Sequence, residues 1–492
     1  MFALSETSIL GIILLVAFTI LGWGFYRARP FGKLGILAWL QSVVLMAPWL
    51  LFFGLFAAGI YINIVGILFL VVGSAGLYIY LGRQLRAAGQ DAILKQRATE
   101  RLAAESAPPP ENTPQPVGVV VEIMPIPEED LNVIKSIFGI DTFFATETIA
   151  YQEGAIFKGN LRGEPQAVHS RLSKSLQDKL GEKYRLFLVE DTDTKPVVIV
   201  LPSTNDPRPT TLAQKAFAAI LGIATIGTSL ETAGLLLNFD LFSSPERLPT
   251  ALPIGLGIFA TLVAHEIGHW FIARRHQVRL SWPFLLPAVQ IGSFGAITRF
   301  ESLLPNRSVL FDIAVAGPIA GGIVSLLMLI AGLLLSHPGS LFQLPNQFFQ
   351  GSILVGSLAR VVLGSALQSP LVNVHPLVII GWLGLVITAL NLMPAGSLDG
   401  GRIVQAIYGR KTAGRATFAT LIVLALVSLG NNLAMYWAIV ILFLQRDLER
   451  PSLNEISEPD DARAALGLLV LFLMITILLP LTPGLAGRLG IG

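Results

Sequence analysis

The sequence contains no cysteine and few charged residues, since Asp, Glu, Lys and Arg make up only 13% of its 492 residues. The absence of cysteine excludes disulfides and thiolate metal sites, so any zinc site must use histidine and carboxylate ligands. The formal net charge is only +2, so no polyanionic partner such as nucleic acid is implied. The hydrophobic share of 53% is instead typical of a membrane protein.

Long uncharged runs predict about ten membrane spans, because a spanning helix needs roughly 20 apolar residues. The predicted spans lie near residues 8–26, 36–57, 60–82, 214–237, 250–273, 309–335, 374–394, 414–430, 432–446 and 464–483. The first is interpreted as a retained span, since no basic segment precedes it and no cleavage site is evident. Basic clusters follow the first, third, fifth and seventh spans. They share the cytoplasmic side if the N-terminus is outside, which predicts a multi-pass protein surrounded by lipid.

The segment between the third and fourth spans has the composition of a soluble domain. Its patterns of helix and hairpin predict a small α+β fold of about 90 residues, on the cytoplasmic side by the predicted topology. The fold class is thus mainly α, a polytopic membrane protein with one small α+β domain. The predicted regions are three N-terminal spans (1–82), a polar helix and Pro-rich linker (83–117), the α+β domain (118–210), the membrane core (211–450) and a C-terminal loop and span (451–492).

The stretch AHEIGHW (264–270) places three polar side chains inside a predicted membrane helix. His265 and His269 are four residues apart, so they share one face of the helix and both imidazoles can reach one ion. Glu266 can take a proton from a water that zinc activates. Such side chains are costly in hydrocarbon, which favours a zinc site over polar residues that only pair with neighbouring helices.

A catalytic zinc site usually has three protein ligands, and a second motif supplies a candidate for the third. In NLMPAGSLDGGR (391–402) proline and glycines interrupt a long uncharged span. Irregular backbone at membrane depth is tolerated only where it lines a protein cavity. Asp399 is the only carboxylate on this break. Without the HEIGH helix it would be interpreted as an acidic cap at a span end, but with it Asp399 is the predicted third ligand.

Together, HEIGH and the later N-L-M-P-A-G-S-L-D-G-G resemble the motifs of the site-2 protease family of intramembrane zinc metalloproteases. The resemblance implies one zinc per chain held by His265, His269 and Asp399, with Glu266 as general acid and base. It also implies transmembrane protein substrates, cleaved in or near the cytoplasmic half of the bilayer as in regulated intramembrane proteolysis. Asn391 matches a position thought to help hold the scissile carbonyl, although hydrogen bonding within the helix break is an alternative role.

The flanking regions narrow the resemblance to one branch of that family. Three leading spans and a soluble domain containing GNLRG (159–163), without a recognisable PDZ or CBS module, are similar to cyanobacterial and plant plastid members. This branch implies a bacterial cell membrane or a thylakoid membrane as the location.

The stretch WPFLLPAVQIGSFGAITRF (282–300) lies between the two motifs and resembles the family's re-entrant hairpin. An exposed strand edge there could pair with the substrate backbone, whereas the alternative is a plain interfacial loop. The tentative substrate-binding residues are Ile291, Gly292, Ser293, Phe294, Gly295, Ala296 and Ile297. Glu231, in an otherwise apolar span, is interpreted as approaching the outer surface rather than facing the cavity.

Two other functions would use the same residues. A membrane metal-ion transporter usually needs paired sites, and no second ligand cluster or inverted repeat is evident in the sequence. A membrane scaffold with a vestigial site would not need Glu266, which is intact. The prediction is therefore an intramembrane zinc endopeptidase, with the transporter as its main alternative.

Overall fold

The computed structural model describes residues 21–57, 126–151, 153–191 and 195–481, together with position 19, several positions between 70 and 85, and positions 486, 487 and 491. The chain divides into two compact units, one made of residues 1–120 and 423–438 and the other of residues 121–422 and 439–492. In the first unit, helix α1 (Gly32–Ala57) coincides with the predicted second span. The predicted first and third spans and the linker 83–117 lie largely outside the described residues.

The second unit begins with an α+β fold. Its elements are α2 (Glu128–Lys135), β1 (Phe143–Tyr151), β2 (Gly154–Leu161), α3 (Pro165–Leu180), β3 (Tyr184–Glu190) and β4 (Pro196–Pro202). The strands form one antiparallel sheet in the order β1-β2-β4-β3. Alternate strand residues face α3, and Phe143, Phe157, Leu172, Leu188 and Val198 are at most 1% exposed in that core. The segment has the predicted α+β architecture, while its side of the membrane stays a prediction.

Helices dominate the rest of the chain. They are α4 (Leu212–Leu236), α5 (Leu248–Arg275), α6 (Arg307–Leu334), α7 (Gln347–Gln350), α8 (Ile353–Leu363), α9 (Pro376–Asn391), α10 (Asp399–Val427), α11 (Asn432–Val440) and α12 (Asp461–Leu478). Two antiparallel strand pairs interrupt them, a hairpin of β5 (Phe284–Ala288) with β6 (Gly292–Ile297), and a pair of β7 (Phe342–Pro345) with β8 (Leu371–Val374), which flank α7 and α8.

Within the described part of the chain, four helical segments are long and apolar enough to cross a membrane. They are Leu212–Leu236, Pro245–Arg275, Arg307–Leu334 and Asp461–Leu478. The predicted seventh span corresponds to the 16-residue α9. The predicted eighth and ninth fall on α10, which has a non-helical residue at Gly409 (φ 79°), and on α11. A membrane protein with several spans is therefore supported, and the count of ten stays a prediction.

Helix α5, which carries HEIGH, packs between α4 and α6, and α6 also packs against α9. Glycine permits the close approach of α5 and α6, because a Cβ on Gly268 would overlap the carbonyl oxygen of Ala316. Ala316 and Ala320, in the stretch FDIAVAGPIAGG (311–322) of α6, lie at this contact. The close packing holds the HEIGH helix directly against α6.

Residues 452–455 join the α+β sheet to the membrane helices. The amide of Leu188 donates to the carbonyl of Leu453 (2.8 Å), and the amide of Glu455 donates to the carbonyl of Leu188 (2.9 Å). On the other side of the segment, the amide of Leu453 donates to the carbonyl of Leu304 (2.8 Å), which lies just before α6. These backbone bonds attach β3 to the start of α6 within one compact unit.

Candidate metal centre

The two histidines of HEIGH point into the protein from one face of α5. His265 and His269 are 8% and 4% exposed, and their Nε2 atoms are 3.1 Å apart. Nδ1 of His269 lies 2.8 Å from the carbonyl oxygen of Ile313 on α6. Because a carbonyl only accepts, Nδ1 carries the proton and Nε2 of His269 presents its lone pair.

Asp399 reaches the same point from the break between α9 and α10. Its Oδ2 lies 3.0 Å from Nε2 of His265, and its Oδ1 lies 3.4 Å from Nε2 of His269. The glycines of the motif are required by this turn. A Cβ on Gly396 (φ 49°) would overlap the carbonyl of Gln445, and one on Gly400 would overlap the carbonyl of Leu392.

The three side chains fit a zinc ion. Zinc bonds of about 2.0–2.1 Å in a tetrahedral arrangement separate the ligand atoms by roughly 3.3 Å. The observed separations are 3.0, 3.1 and 3.4 Å. A hydrogen bond between His265 and Asp399 alone would not bring the lone pair of His269 to the same point. The donor set, two imidazoles and one carboxylate, is also one that zinc accepts in catalytic sites.

Glu266 lies beside this cluster. One of its carboxylate oxygens and the ring nitrogens of His265 and His269 all lie within 4.8 Å of one another. Its Oε2 accepts a hydrogen bond from the hydroxyl of Thr298, at 2.8 Å. Thr298 directly follows β6, so the hairpin positions the carboxylate. Sequence reasoning did not find Thr298, because nothing in its local pattern indicates a partner 32 residues away.

Arg402 links the cluster to its surroundings and was also missed. It is 7% exposed, and its guanidinium donates to the carbonyl of Thr298 (2.8 Å) and pairs with Glu449 (3.0 Å). It also lies 3.9 Å from Asp399, three residues earlier on α10. The only sequence pattern that could have indicated it is a charged residue directly after the glycines of the second motif.

The predicted hairpin is present, and only part of it reaches the site. Ala296 and Ile297 line the cleft beside Glu266 and Asn391. A Cβ on Gly295 (φ 99°) would come within 2.6 Å of the Asn391 amide nitrogen. The remaining tentative residues, Ile291, Gly292, Ser293 and Phe294, lie farther along β6 or in its turn. Ser293, which is fully buried, binds the Leu286 and Gly295 carbonyls inside the hairpin.

Asn391 and Glu231 each make a hydrogen bond within the fold. The amide nitrogen of Asn391 donates to the carbonyl of Ile387 (2.9 Å), one turn earlier on α9. Glu231 is 4% exposed, and its Oε2 accepts from the amide of Leu241 in the loop after α4 (3.0 Å). Glu231 is thus buried against its own loop, away from the cleft that Glu266 lines.

Apolar helices that enclose a cluster of two histidines and one aspartate, with a glutamate beside it, define a class of protein: a membrane-embedded metallohydrolase. Comparison with known families is consistent with this class. The model named Peptidase family M50 matches residues 254–430, and the model named EGY3 middle domain matches residues 132–207. The chain belongs to peptidase family M50, the site-2 protease family, in its plastid-type branch.

Three plant proteins illustrate the similarity. The probable zinc metalloprotease EGY1, chloroplastic, of Arabidopsis thaliana is 37% identical over 402 residues, covering 74% of this chain and 73% of that protein. EGY2 of the same plant, with the same description, is 38% identical over 365 residues, covering 73% and 66%. The probable zinc metallopeptidase EGY3, chloroplastic, also of Arabidopsis thaliana, is 34% identical over 379 residues, covering 72% and 66%. No solved structure matches the chain significantly.

These matches confirm the family predicted from HEIGH and NLMPAGSLDGG, and with it the class of enzyme, a metalloprotease. They do not test the roles of single residues, so the assignments of His265, Glu266, His269, Asn391 and Asp399 stay predictions.

Proposed function

We propose that the chain is an intramembrane zinc endopeptidase that hydrolyses peptide bonds of membrane protein substrates. The observation that carries this proposal is the convergence of His265, His269 and Asp399 beside Glu266. Three protein ligands leave one position of a tetrahedral ion open, as catalysis requires, whereas structural zinc sites are closed by four. The names of the plant relatives, which are called zinc metalloproteases, support the choice of metal.

The chemistry divides between the ion and the chain. Bound at this cluster, zinc supplies the Lewis acidity that polarises a water or a peptide carbonyl. Glu266 accepts a proton from the attacking water and returns it to the leaving nitrogen. The hydrogen bond from Thr298 holds the Glu266 carboxylate in place during both transfers. Arg402 in turn holds the backbone of Thr298, so it positions Glu266 through its neighbour.

A substrate peptide has to be extended before its backbone can be cleaved, and the edge of β6 could pair with such an extended backbone. The hairpin sheet has two strands, so one edge of β6 has no strand partner within the described sheets. Ala296 and Ile297 bring that strand beside Glu266. The cleft itself has a volume of about 10 Å³, comparable with a single water molecule. A peptide therefore enters only after the hairpin or the break at 396–398 moves.

The proposed location is a membrane, and the helices, the relatives and the basic clusters each bear on which membrane and which orientation. Apolar helices support an integral membrane protein, and relatives described as chloroplastic support a thylakoid membrane or the corresponding bacterial membrane. The positions of the basic clusters favour the cytoplasmic side, or its plastid equivalent, for residues 83–210 and for the basic stretch that follows Asp399.

Fusions of a topology reporter at Ala107 and at Lys411 should therefore report the same side of the membrane. The expectation depends on an even number of spans between the two positions. Alkaline phosphatase and green fluorescent protein fusions would give opposite readouts on the two sides. Different sides for Ala107 and Lys411 would contradict the predicted set of spans.

Reconstitution into liposomes separates peptidase from transporter. The purified chain, loaded with zinc, should cleave a single-span reporter protein in the same bilayer, and a chelator should stop the cleavage. A zinc-sensitive dye inside the liposomes should record no flux beyond that of empty vesicles. Zinc flux without cleavage would contradict the proposal and favour the transporter alternative.

A further inference from the structure

A groove lies between the α+β fold and the loops that precede α6 and α12. Two adjoining pockets form it, of about 570 Å³ and about 220 Å³. Both pockets are lined by Asn205, Asp206, Leu303, Arg450 and Pro451, so they are continuous. We call this feature the domain groove.

One end of the domain groove is basic. Arg208, Arg299 and Arg450 line it and are exposed, and none of the three pairs with an acidic side chain in the described part of the chain. Arg299 instead stacks on the ring of Phe284, 5.3 Å from its centroid, and the exposed guanidinium of Arg450 donates one hydrogen bond to the carbonyl of Asn205 at 3.3 Å. These guanidinium groups are therefore accessible to a ligand.

The acidic residues of the same end are already engaged. Asp206 pairs with Arg185 at 2.9 Å, and Glu449 pairs with Arg402 at 3.0 Å. Glu301 is the only remaining carboxylate among the lining residues, and it accepts a hydrogen bond from the amide of Thr210 at 2.7 Å. At this end of the groove, three arginines have no acidic partner and only one carboxylate, that of Glu301, has no cationic partner. The resulting excess of positive charge makes this end complementary to an acidic ligand.

The other end of the groove is apolar. Phe187 and Val189 of β3 and Ile199 and Leu201 of β4 line it and are half-buried. They lie on the face of the sheet opposite α3, because successive strand residues alternate between the two faces. Apolar side chains of an extended peptide could pack there while its backbone follows the groove.

The domain groove continues from the candidate metal centre. Thr298, which binds Glu266, is followed directly by Arg299, which lines the groove. The hairpin pairing continues past β6 to this point, since the amide of Ser281 donates to the carbonyl of Arg299 at 2.9 Å. An extended chain covers about 3.3 Å per residue, so a peptide along β6 reaches the groove within a few residues of the cleft.

We propose that the domain groove binds the substrate segment that lies just outside the bilayer, next to the cleaved bond, and selects a segment with acidic residues. The inference rests on the proposed peptidase function and adds a substrate class to it. Cytoplasmic segments next to membrane spans are generally rich in Lys and Arg. A groove with three arginines that lack acidic partners would therefore reject many membrane proteins and accept the minority with an acidic segment.

The test uses single-span reporters that differ only in this segment, with tails of aspartate, serine or lysine. The variant is Arg208→Glu combined with Arg450→Glu, and the matched control is Arg171→Glu, which changes an exposed arginine on α3. At low ionic strength the double variant should raise KM for the aspartate tail roughly tenfold and leave kcat unchanged. It should leave KM for the serine tail unchanged and lower it for the lysine tail. The control should behave like the unchanged protein.

Two results would overturn the inference: an equal change in KM on all three tails, or no change on the aspartate tail. If the zinc-loaded, unchanged protein cleaves no reporter, the peptidase function itself fails. The groove is then tested by fluorescence anisotropy with the aspartate-tail peptide alone. Binding that the double variant weakens and Arg171→Glu does not would support the groove. Absence of binding to the unchanged protein would overturn it.

Discussion

Glu266→Gln should lower kcat for cleavage of a membrane reporter by about 10² to 10⁴, the usual effect of losing a general acid or base. The substitution preserves the shape of the side chain and its acceptor for the hydroxyl of Thr298, which lies 2.8 Å from Oε2. It removes only the ability to take a proton. Zinc content, measured by mass spectrometry, should stay at about one ion per chain.

A matched substitution is available in the neighbouring helix. Glu231→Gln makes the same chemical change at a buried carboxylate that binds only the loop after α4 in the structure. It should leave kcat within a factor of about two, since an amide oxygen can accept the same hydrogen bond from Leu241. Full activity of Glu266→Gln would remove Glu266 from the mechanism, and a large loss in Glu231→Gln would add Glu231 to it.

Removal of any one of the three proposed ligands should lower both zinc content and cleavage. His265→Ala and His269→Ala each delete an imidazole, and Asp399→Asn removes the charge of the carboxylate. We expect zinc affinity to fall by more than about 100-fold in each, because loss of a group that only orients a ligand already costs about 10- to 100-fold. Zinc content after dialysis against a chelator of known affinity measures the effect.

An exposed histidine supplies the control for this series. His337→Ala changes a residue in the loop after α6 that contacts only its own loop. Its zinc content and cleavage should match those of the unchanged protein. If Asp399→Asn binds zinc as tightly as the unchanged protein does, the third ligand lies elsewhere.

Two glycines of α6 test the geometry without removing a ligand. A Cβ on Gly317 would overlap Nε2 of His269, so Gly317→Ala should displace that imidazole and weaken zinc binding. Gly322→Ala lies five residues farther along the same helix, where the nearest atom to a Cβ is 3.7 Å away. It should leave zinc affinity unchanged, because the added methyl group displaces no ligand, and alanine is tolerated in a helix. Equal zinc affinity in the two variants would contradict the placement of His269 against α6.

The sequence was most informative where chemistry depends on local spacing. The interval of four residues places His265 and His269 on one face of a helix, whatever the rest of the fold is. In the structure the Nε2 atoms of the two side chains are 3.1 Å apart. The proline and glycines around Asp399 indicate a break in a membrane helix, which is the form that residues 392–398 take.

The contacts that complete the site depend on distant parts of the chain. The pair of Arg402 with Glu449 joins residues 47 apart, and the bonds of Leu188 to residues 453–455 join segments more than 260 residues apart. No local pattern specifies such pairs, because they arise from the packing of whole elements. The close approach of Gly317 to His269 has the same origin.

X-ray absorption at the zinc edge of the Glu266→Gln protein would identify the atoms bound to the metal, because this variant keeps the proposed ligands and turns over substrate only slowly. We expect a four-coordinate ion with two imidazole nitrogens and at least one carboxylate oxygen at about 2.0 to 2.2 Å. His269→Ala in the same background should lose the second imidazole. A shell of six oxygens, or a spectrum that is the same in both proteins, would contradict a zinc site built from His265, His269 and Asp399.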